Sequence, residues 1–171
     1  MLLLKLLQSL IKTLNSEGTP GQVAAGIALG SVFGLTPLMS PHNLVFLALA
    51  MVLNVSFGGV MLGWALFVPL GFALDPVFNA IGTQLLVHTP TLTPVWTDWY
   101  NAPIIALSRF NNTIVLGSFV FWVLLFLPLF FLARWGVGEY RERVYARLEK
   151  IRLFQVVKAS KLYNLYKLFR P

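Results

Sequence analysis

The chain has 171 residues, of which 57% are hydrophobic and only 11% are charged, and its mean hydropathy is +0.76. Soluble domains are about 25% charged, so this composition argues against a water-soluble domain and predicts an integral membrane protein of one domain. The sequence holds no cysteine, which excludes a disulfide framework and thiolate metal sites.

The net charge of +7 is concentrated at the C-terminal end. From Arg134 onward the chain carries ten basic residues and three acidic ones, whereas the preceding part is balanced. The positive-inside rule therefore predicts that this end is cytoplasmic. A nucleic-acid patch is the rival interpretation of a basic tail. A predicted membrane span ends where the basic run starts, so no nucleic-acid partner is expected.

Residues 1–17 repeat apolar side chains at helical spacing, and Lys5 and Lys12 fall on the opposite face. The pattern predicts an amphipathic helix that lies in the membrane interface, because it is too short to span. A signal peptide is not expected, because the two lysines interrupt the apolar run and no A-x-A-like site follows.

The stretch 18–74 contains no Lys, Arg, Asp or Glu, which predicts membrane-embedded helices. Thr19 can cap a helix and Pro20 suits a first helical turn, so a helix is expected from Pro20 to about Leu35. Glycines at four-residue spacing form one stripe on this helix. The stripe predicts a close helix–helix contact, with a ligand surface as the alternative; its members are Gly26, Gly30 and Gly34.

A break in this helix is predicted at Pro37, because proline disfavours helical geometry at the residue before it. Ser40 and Pro41 repeat the pattern of a cap followed by proline, so a second short helix is expected from Pro41 to about Leu53. The segment 20–53 is thus predicted to form a re-entrant hairpin, with two thin, tilted spans as the alternative.

The segment 57–87 loosely repeats this plan. It has a glycine pair at Gly59 and Gly63, a proline at Pro69, and Asp75-Pro76 as a second cap followed by proline. A second broken helix is therefore predicted. Paired interrupted segments point to a midplane site in transporter folds, although coincidence in a chain rich in glycine and proline is the alternative.

Residues 88–103 are predicted to form an outer loop, in which Trp96 and Trp99 fit an interfacial aromatic belt. A short interfacial turn of helix holding Arg109 should follow. The uncharged residues 113–133 are long enough to cross a bilayer and predict a transmembrane span.

Residues 136–171 are predicted to form a basic cytoplasmic helix that lies on the anionic inner leaflet, with pairing to a partner helix as the alternative. The residues expected to bind the membrane surface are Arg141, Arg143, Arg147, Lys150 and Arg152.

Asp75 is the only acid in the apolar part of the chain. An intramembrane carboxylate is a functional hypothesis by default, here as a proton- or cation-coupling residue, but Asp before proline is also a good helix cap. The Ser40 helix start could hold an anion such as a lipid phosphate. The candidate intramembrane polar site comprises Ser40, His42, Asn43, Asp75 and Asn79.

Catalytic and metal motifs are not found in the sequence. Its two histidines stand 46 positions apart without a local Glu partner, and no nucleophile–base pair or phosphate loop is present. We therefore expect neither an enzyme nor a bound cofactor or metal.

Several motifs between Gly18 and Leu86 match a known family. They are Thr19-Pro20 before an Ala/Gly helix, the run from Gly30 to Pro37, the segment ending at Asn54, and Asp75-Pro76. This block resembles an uncharacterised family of bacterial inner-membrane proteins, catalogued as domain of unknown function twenty sixty-two. The family often has Asn-Pro where this chain has Asp75-Pro76. The resemblance implies a bacterial inner-membrane location, and it brings no established activity or site residues.

The sequence thus predicts an all-α polytopic membrane protein with proline-broken or re-entrant helices and amphipathic N- and C-terminal helices. The first functional hypothesis is a subunit or accessory of an envelope transport or lipid-handling system that docks a partner through its glycine-faced helices. The second is a secondary transporter coupled through Asp75. The third is an anchor whose basic helix recruits a cytoplasmic protein. Membrane lipids are expected partners, together with an envelope protein or a second copy of the chain.

Overall fold

The computed structural model describes residues 18–144, and every regular element in this range is helical. The predicted all-α fold class is therefore confirmed for the described residues. The predicted interfacial helix at 1–17 and most of the predicted basic helix at 136–171 lie outside them. The helices are α1 (Pro20–Leu35), α2 (His42–Val52), α3 (Phe57–Leu86), α4 (Thr93–Asn101), α5 (Pro103–Ala106) and α6 (Thr113–Glu139), with a 3-10 turn at Pro90–Leu92 and a π-helical turn at Tyr140–Val144.

The first helix begins and ends where the sequence predicts. The Thr19 hydroxyl accepts a hydrogen bond from the Gln22 amide at 3.2 Å, and the Gln22 side chain accepts one from the Thr19 amide at 2.7 Å. This capping box satisfies two backbone donors that the helix itself leaves free. At the other end, Thr36 is extended (φ −99°, ψ 154°) because Pro37 follows it.

The break at Pro37 turns the chain back on itself, so that α1 and α2 form a helical hairpin. The amide of Ser56, just before α3, donates to the Gln22 carbonyl in the first turn of α1 at 3.0 Å. The two ends of the hairpin therefore lie at the same end of the molecule. One detail differs from the prediction: Ser40 does not cap α2 with its side chain, because Pro41 is already helical (φ −57°, ψ −29°) and occupies the cap position.

The predicted second break is wrong. Helix α3 is continuous over 30 residues, with Pro69 and Pro76 inside it. Asp75 is therefore an interior helical residue and not a cap, and the helix–break–half-helix repeat is absent. An interior proline costs about 3 kcal/mol, yet a full break inside an apolar environment would leave still more backbone groups unpaired. Helix α3 packs against α1 before Pro69 and against α6 after Pro76, and this packing opposes a break between the two segments.

Close packing of glycines on both helices determines how α3 lies against α1. A Cβ added at Gly26 would meet the backbone of Ser56 and Gly59, and one at Gly34 would meet the backbone of Phe67 and Val68. The contacts advance in the same direction along both helices, so α1 and α3 run parallel. The backbones approach this closely only because no side chain stands between them.

Helix α6 runs antiparallel to α3 and closes the bundle. Gly117 packs on the Phe78 carbonyl, and Gly82 packs on Thr113. The fully buried Phe78 and the nearly buried Trp122 lie in one apolar core with residues from α1: Leu29, Val32 and Leu35. The helix continues to Glu139, six residues beyond the predicted end of the span at residue 133.

The predicted outer loop at 88–103 is largely helical, which corrects the prediction. Proline stands in the first turn of both α4 and α5, where its missing amide costs nothing. The indole of Trp96 in α4 donates to the Leu85 carbonyl at 3.0 Å, and its ring packs against Trp99 and Phe110. These contacts hold the short helices on the end of α3.

In the described part of the chain, two helical stretches are long and apolar enough to cross a membrane: Phe57–Leu86 and Thr113–Arg143. Only 28% and 33% of their most apolar windows are buried. A core helix of a soluble protein would be mostly buried, whereas these helices expose large apolar side chains such as Phe72 and Leu124. This exposure is typical of helices that face lipid.

Candidate functional site

A cavity of about 500 Å³ lies where the hairpin turn, the middle of α3 and the start of α6 meet. As far as the described residues form it, its wall is largely apolar and includes five polar or charged side chains. The apolar and glycine lining consists of Phe33, Gly34, Leu35, Pro37, Leu38, Met39, Trp64, Val68, Gly71, Phe72, Ile114 and Val115. The polar lining consists of Thr36, Ser40, Asp75, Arg109 and Asn112.

The hairpin turn that forms one wall is held by Asn43. Its side-chain amide donates to the carbonyls of Pro37 and Leu38 at 3.1 and 3.2 Å, and its oxygen lies 3.0 Å from the Thr36 hydroxyl. Thr36, Ser40 and Asn43 are all nearly buried. These bonds satisfy backbone groups that the helix break would otherwise leave unpaired.

Arg109 stands on a tight turn between α5 and α6 and has a left-handed backbone, with φ of 58°. The turn is closed by hydrogen bonds from the Arg109 amide to the Ala106 carbonyl at 3.2 Å and from the Asn112 amide to the Arg109 carbonyl at 3.0 Å. Asn112 then caps α6, because its side chain accepts from the amides of Ile114 and Val115. Such a φ is uncommon outside glycine, asparagine and aspartate.

The cavity lining contains two opposite charges that form no direct ion pair. Asp75 is half-buried in α3 and Arg109 is exposed at the turn, and both line the cavity. Within residues 18–144 the ion pair that forms is between Arg143 and Glu139, at 2.9 Å, and neither Asp75 nor Arg109 takes part in one.

The helix register gives the depth of the cavity. The uncharged part of α6 from Thr113 to Ala133 is about 30 Å long, which matches a hydrocarbon core. Thr113 touches Gly82 of α3, and Asp75 lies seven residues before Gly82, hence about 10 Å further in. Arg109 precedes Thr113 and lies near the end. The cavity therefore runs from the Thr113 end of this uncharged stretch toward its middle.

The structure brings together only part of the predicted polar site. Ser40 and Asp75 share the cavity. His42 instead packs its ring against Phe46 and Phe119, and its Nε2 is buried without a hydrogen-bond partner among the described residues. Asn43 holds the turn behind the cavity wall.

Asn79 lies away from the cavity, where it accepts a hydrogen bond from the Thr113 hydroxyl at 2.5 Å. The charged residue that the predicted site lacked is Arg109. One signal could have revealed it, because Arg109 is the only basic residue between Lys12 and Arg134.

The glycines predicted for packing lie inside the molecule. Gly26, Gly30 and Gly34 face α3, while Gly59 and Gly63 face α1. This internal contact is the close helix–helix contact that the sequence predicts. It covers the glycine faces and so gives no support to the docking of a partner through them, which stays a prediction. Gly71, Gly82 and Gly117 make similar contacts and were not singled out from the sequence.

Two of the five residues predicted to bind the membrane surface are described. The Arg141 guanidinium donates to the Gly18 carbonyl at 2.7 Å and so joins the end of α6 to the start of α1, and Arg143 pairs with Glu139. The other three, Arg147, Lys150 and Arg152, lie outside the described residues. Between residues 18 and 144 there is no group of three His, Asp or Glu side chains that could hold a metal ion.

Comparisons with known proteins place the chain in a family. Residues 4–145 match the family model described as "Uncharacterized protein conserved in bacteria (DUF2062)". The chain is also similar to an "Uncharacterized protein" of Treponema pallidum (strain Nichols), with 28% identity over 160 residues that cover 94% of this chain and 98% of the relative. No solved structure matches the chain. The chain therefore belongs to the DUF2062 family of bacterial proteins.

Proposed function

We propose that this protein is a lipid-handling component of the bacterial inner membrane, with a binding rather than a catalytic role. The observation that carries the proposal is the cavity beside α3, which combines a largely apolar wall with a few polar groups inside the apolar layer. Apolar walls with a small number of convergent polar groups are typical of sites for small amphiphilic molecules.

Exposure at the rim supports access from the bilayer. Met39 is 87% exposed and Phe72 is 76% exposed, and both line the cavity. Because these apolar side chains are in contact with the surroundings and not with protein, a membrane lipid could enter sideways without passing through water.

The alternative of a transporter with two repeats loses its basis, because α3 is continuous and supplies no second broken unit. The proposed orientation places the basic C-terminal end in the cytoplasm. The hairpin 20–53 then starts and ends on the cytoplasmic side, with its turn at the depth of the cavity. A re-entrant hairpin of this kind is compatible with covered, non-helical backbone inside a membrane.

A substitution that fills the cavity tests the proposal. Val68→Trp would place an indole in the cavity, whereas Leu66→Trp would put the same indole on the exposed face of the same helix. After purification in mild detergent, native mass spectrometry should show bound lipid on the wild type and on Leu66→Trp, and several-fold less on Val68→Trp. Equal lipid on all three proteins would refute the proposed function.

A further inference from the structure

We infer that the cavity receives the headgroup of a zwitterionic phospholipid that carries both a phosphate and a primary ammonium group. Arg109 binds the phosphate and Asp75 binds the ammonium. The inference rests on the proposed function and deepens it, because it names the class of lipid that the same cavity selects.

The charges of the cavity wall favour this occupant. Among residues 18–144 the lining presents one guanidinium and one carboxylate, and the two form no direct ion pair. Asp75 lies within the apolar layer, where a charge is costly unless it is compensated. A headgroup with one charge of each sign compensates both, whereas an anionic headgroup would leave Asp75 uncompensated and in repulsion with the ligand.

At the phosphate end, Arg109 offers the planar fork of donors that matches phosphate geometry. Its backbone conformation, with φ of 58°, is one that glycine or asparagine would adopt more easily. Strained residues of this kind concentrate at functional sites. Here the strained turn carries the one guanidinium that lines the cavity within residues 18–144.

At the ammonium end, Asp75 lies about 10 Å inside the end of the span, as the register of α3 and α6 shows. The hydroxyl-bearing Thr36 and Ser40 line the same cavity and are both only 4% exposed. A carboxylate and hydroxyl oxygens together offer acceptors for the three donors of an ammonium group. Shielding from water strengthens the attraction between the opposite charges.

The size of the cavity limits what enters. A volume of about 500 Å³ accommodates a headgroup but not a whole phospholipid with two acyl chains. Leu38, Met39 and Phe72 line the cavity and are exposed, so they form an apolar rim that is open to the bilayer. The acyl chains therefore stay in the bilayer while the headgroup tilts sideways into the protein.

Lipid competition on the full chain tests the inference. Wild type is reconstituted in nanodiscs that contain equal amounts of phosphatidylethanolamine and phosphatidylglycerol, and the lipids retained after transfer to detergent are compared by native mass spectrometry. We expect retention of phosphatidylethanolamine over phosphatidylglycerol by about tenfold, and Asp75→Asn should abolish the preference. The matched control Asp98→Asn removes an exposed acid of α4 that does not line the cavity, so it should keep the preference.

Arg109→Gly should lower the retention of both lipids by about tenfold. Glycine suits the left-handed backbone, so this variant should keep the wild-type unfolding temperature, and lost binding cannot be ascribed to misfolding. The control Arg134→Gln lies outside the cavity and should retain lipid as the wild type does.

The outcomes distinguish the headgroup assignment from the proposed function. Equal retention of both lipids by wild type, or a preference for phosphatidylglycerol, overturns the headgroup assignment even if Asp75→Asn cannot be purified. The proposed function survives that result as long as Val68→Trp still loses lipid. If Val68→Trp retains as much lipid as wild type, both proposals fail.

Discussion

At the scale of single residues, Trp122 joins α6 to α1. Its indole nitrogen donates to the Ala28 carbonyl at 3.2 Å and to the Ser31 hydroxyl at 3.1 Å, and both partners are buried. The Ser31 hydroxyl itself donates to the Ala28 carbonyl at 2.7 Å. These three groups satisfy one another in a core that otherwise holds aromatic and aliphatic side chains.

We predict that Trp122→Phe lowers the unfolding free energy by about 1–3 kcal/mol, because it removes a buried donor and leaves its acceptors with fewer partners. The same change at Trp135, which is 66% exposed on the same helix, should have no measurable effect. Thermal unfolding in detergent measures both variants. Equal melting temperatures for Trp122→Phe and wild type would contradict the role assigned to the indole.

Arg109 shows at this scale why the residues that line the cavity could not be predicted from the sequence alone. It stands 34 positions from Asp75, and no local pattern relates the two. Their common location follows from the turn before α6 and from the packing of α6 on α3.

At the scale of helices, the contact between α1 and α3 determines the position of everything else. A Cβ at Gly30 would collide with the Val60 carbonyl, and a Cβ at Gly63 would collide with the Ile27 carbonyl. The two helices could relieve either collision only by moving apart, which would also displace the hairpin turn that forms the cavity wall.

We predict that Gly30→Ala destabilises the protein by about 1–3 kcal/mol through overpacking. Gly138→Ala in α6 is the matched control, because a Cβ there meets nothing within 4 Å. The control should keep or raise the melting temperature, since alanine favours helix over glycine by up to about 1 kcal/mol. A Gly30→Ala protein as stable as Gly138→Ala would show that the backbones are further apart than described.

The prolines of α3 belong to the same scale. The sequence predicted a second broken helix, stressed at Pro69 and starting again at Asp75-Pro76, because proline removes a hydrogen bond and strains the preceding turn. The prediction was right at Pro37, where the side-chain amide of Asn43 donates to the carbonyls of Pro37 and Leu38. It failed in α3, where packing against α1 on one side of the prolines and α6 on the other outweighs the local cost.

At the scale of the whole molecule, the helix ends lie on two opposite sides of the bundle. The start of α1 and the end of α6 lie together, joined by Arg141 and Gly18. The short helices α4 and α5 lie at the opposite end, on the last turns of α3. In the proposed orientation, which places the basic C-terminal segment in the cytoplasm, α4 would face the outer side.

We predict that Thr97→Cys, on exposed α4, reacts with a membrane-impermeant maleimide in intact bacterial cells. Glu142→Cys, beside the end of α6, should react only after the cells are permeabilised. The chain has no cysteine of its own, so the wild type serves as the unlabelled control. Labelling of Glu142→Cys in intact cells, with Thr97→Cys protected, would reverse the proposed orientation.

The sequence by itself determined the helical class, the apolar character and the ends of α1. Composition shows that most of the chain avoids charge, and capping and proline signals act within one turn of helix. The Thr19 cap and the extended Thr36 therefore form as predicted, because nothing distant is needed to produce them.

Only the tertiary structure decided that α3 stays continuous with two prolines inside it and that Arg109 lines the same cavity as Asp75. Both depend on contacts between residues far apart in the chain. Packing between helices can outweigh a local cost of a few kcal/mol, and the sequence alone does not show which helices will touch.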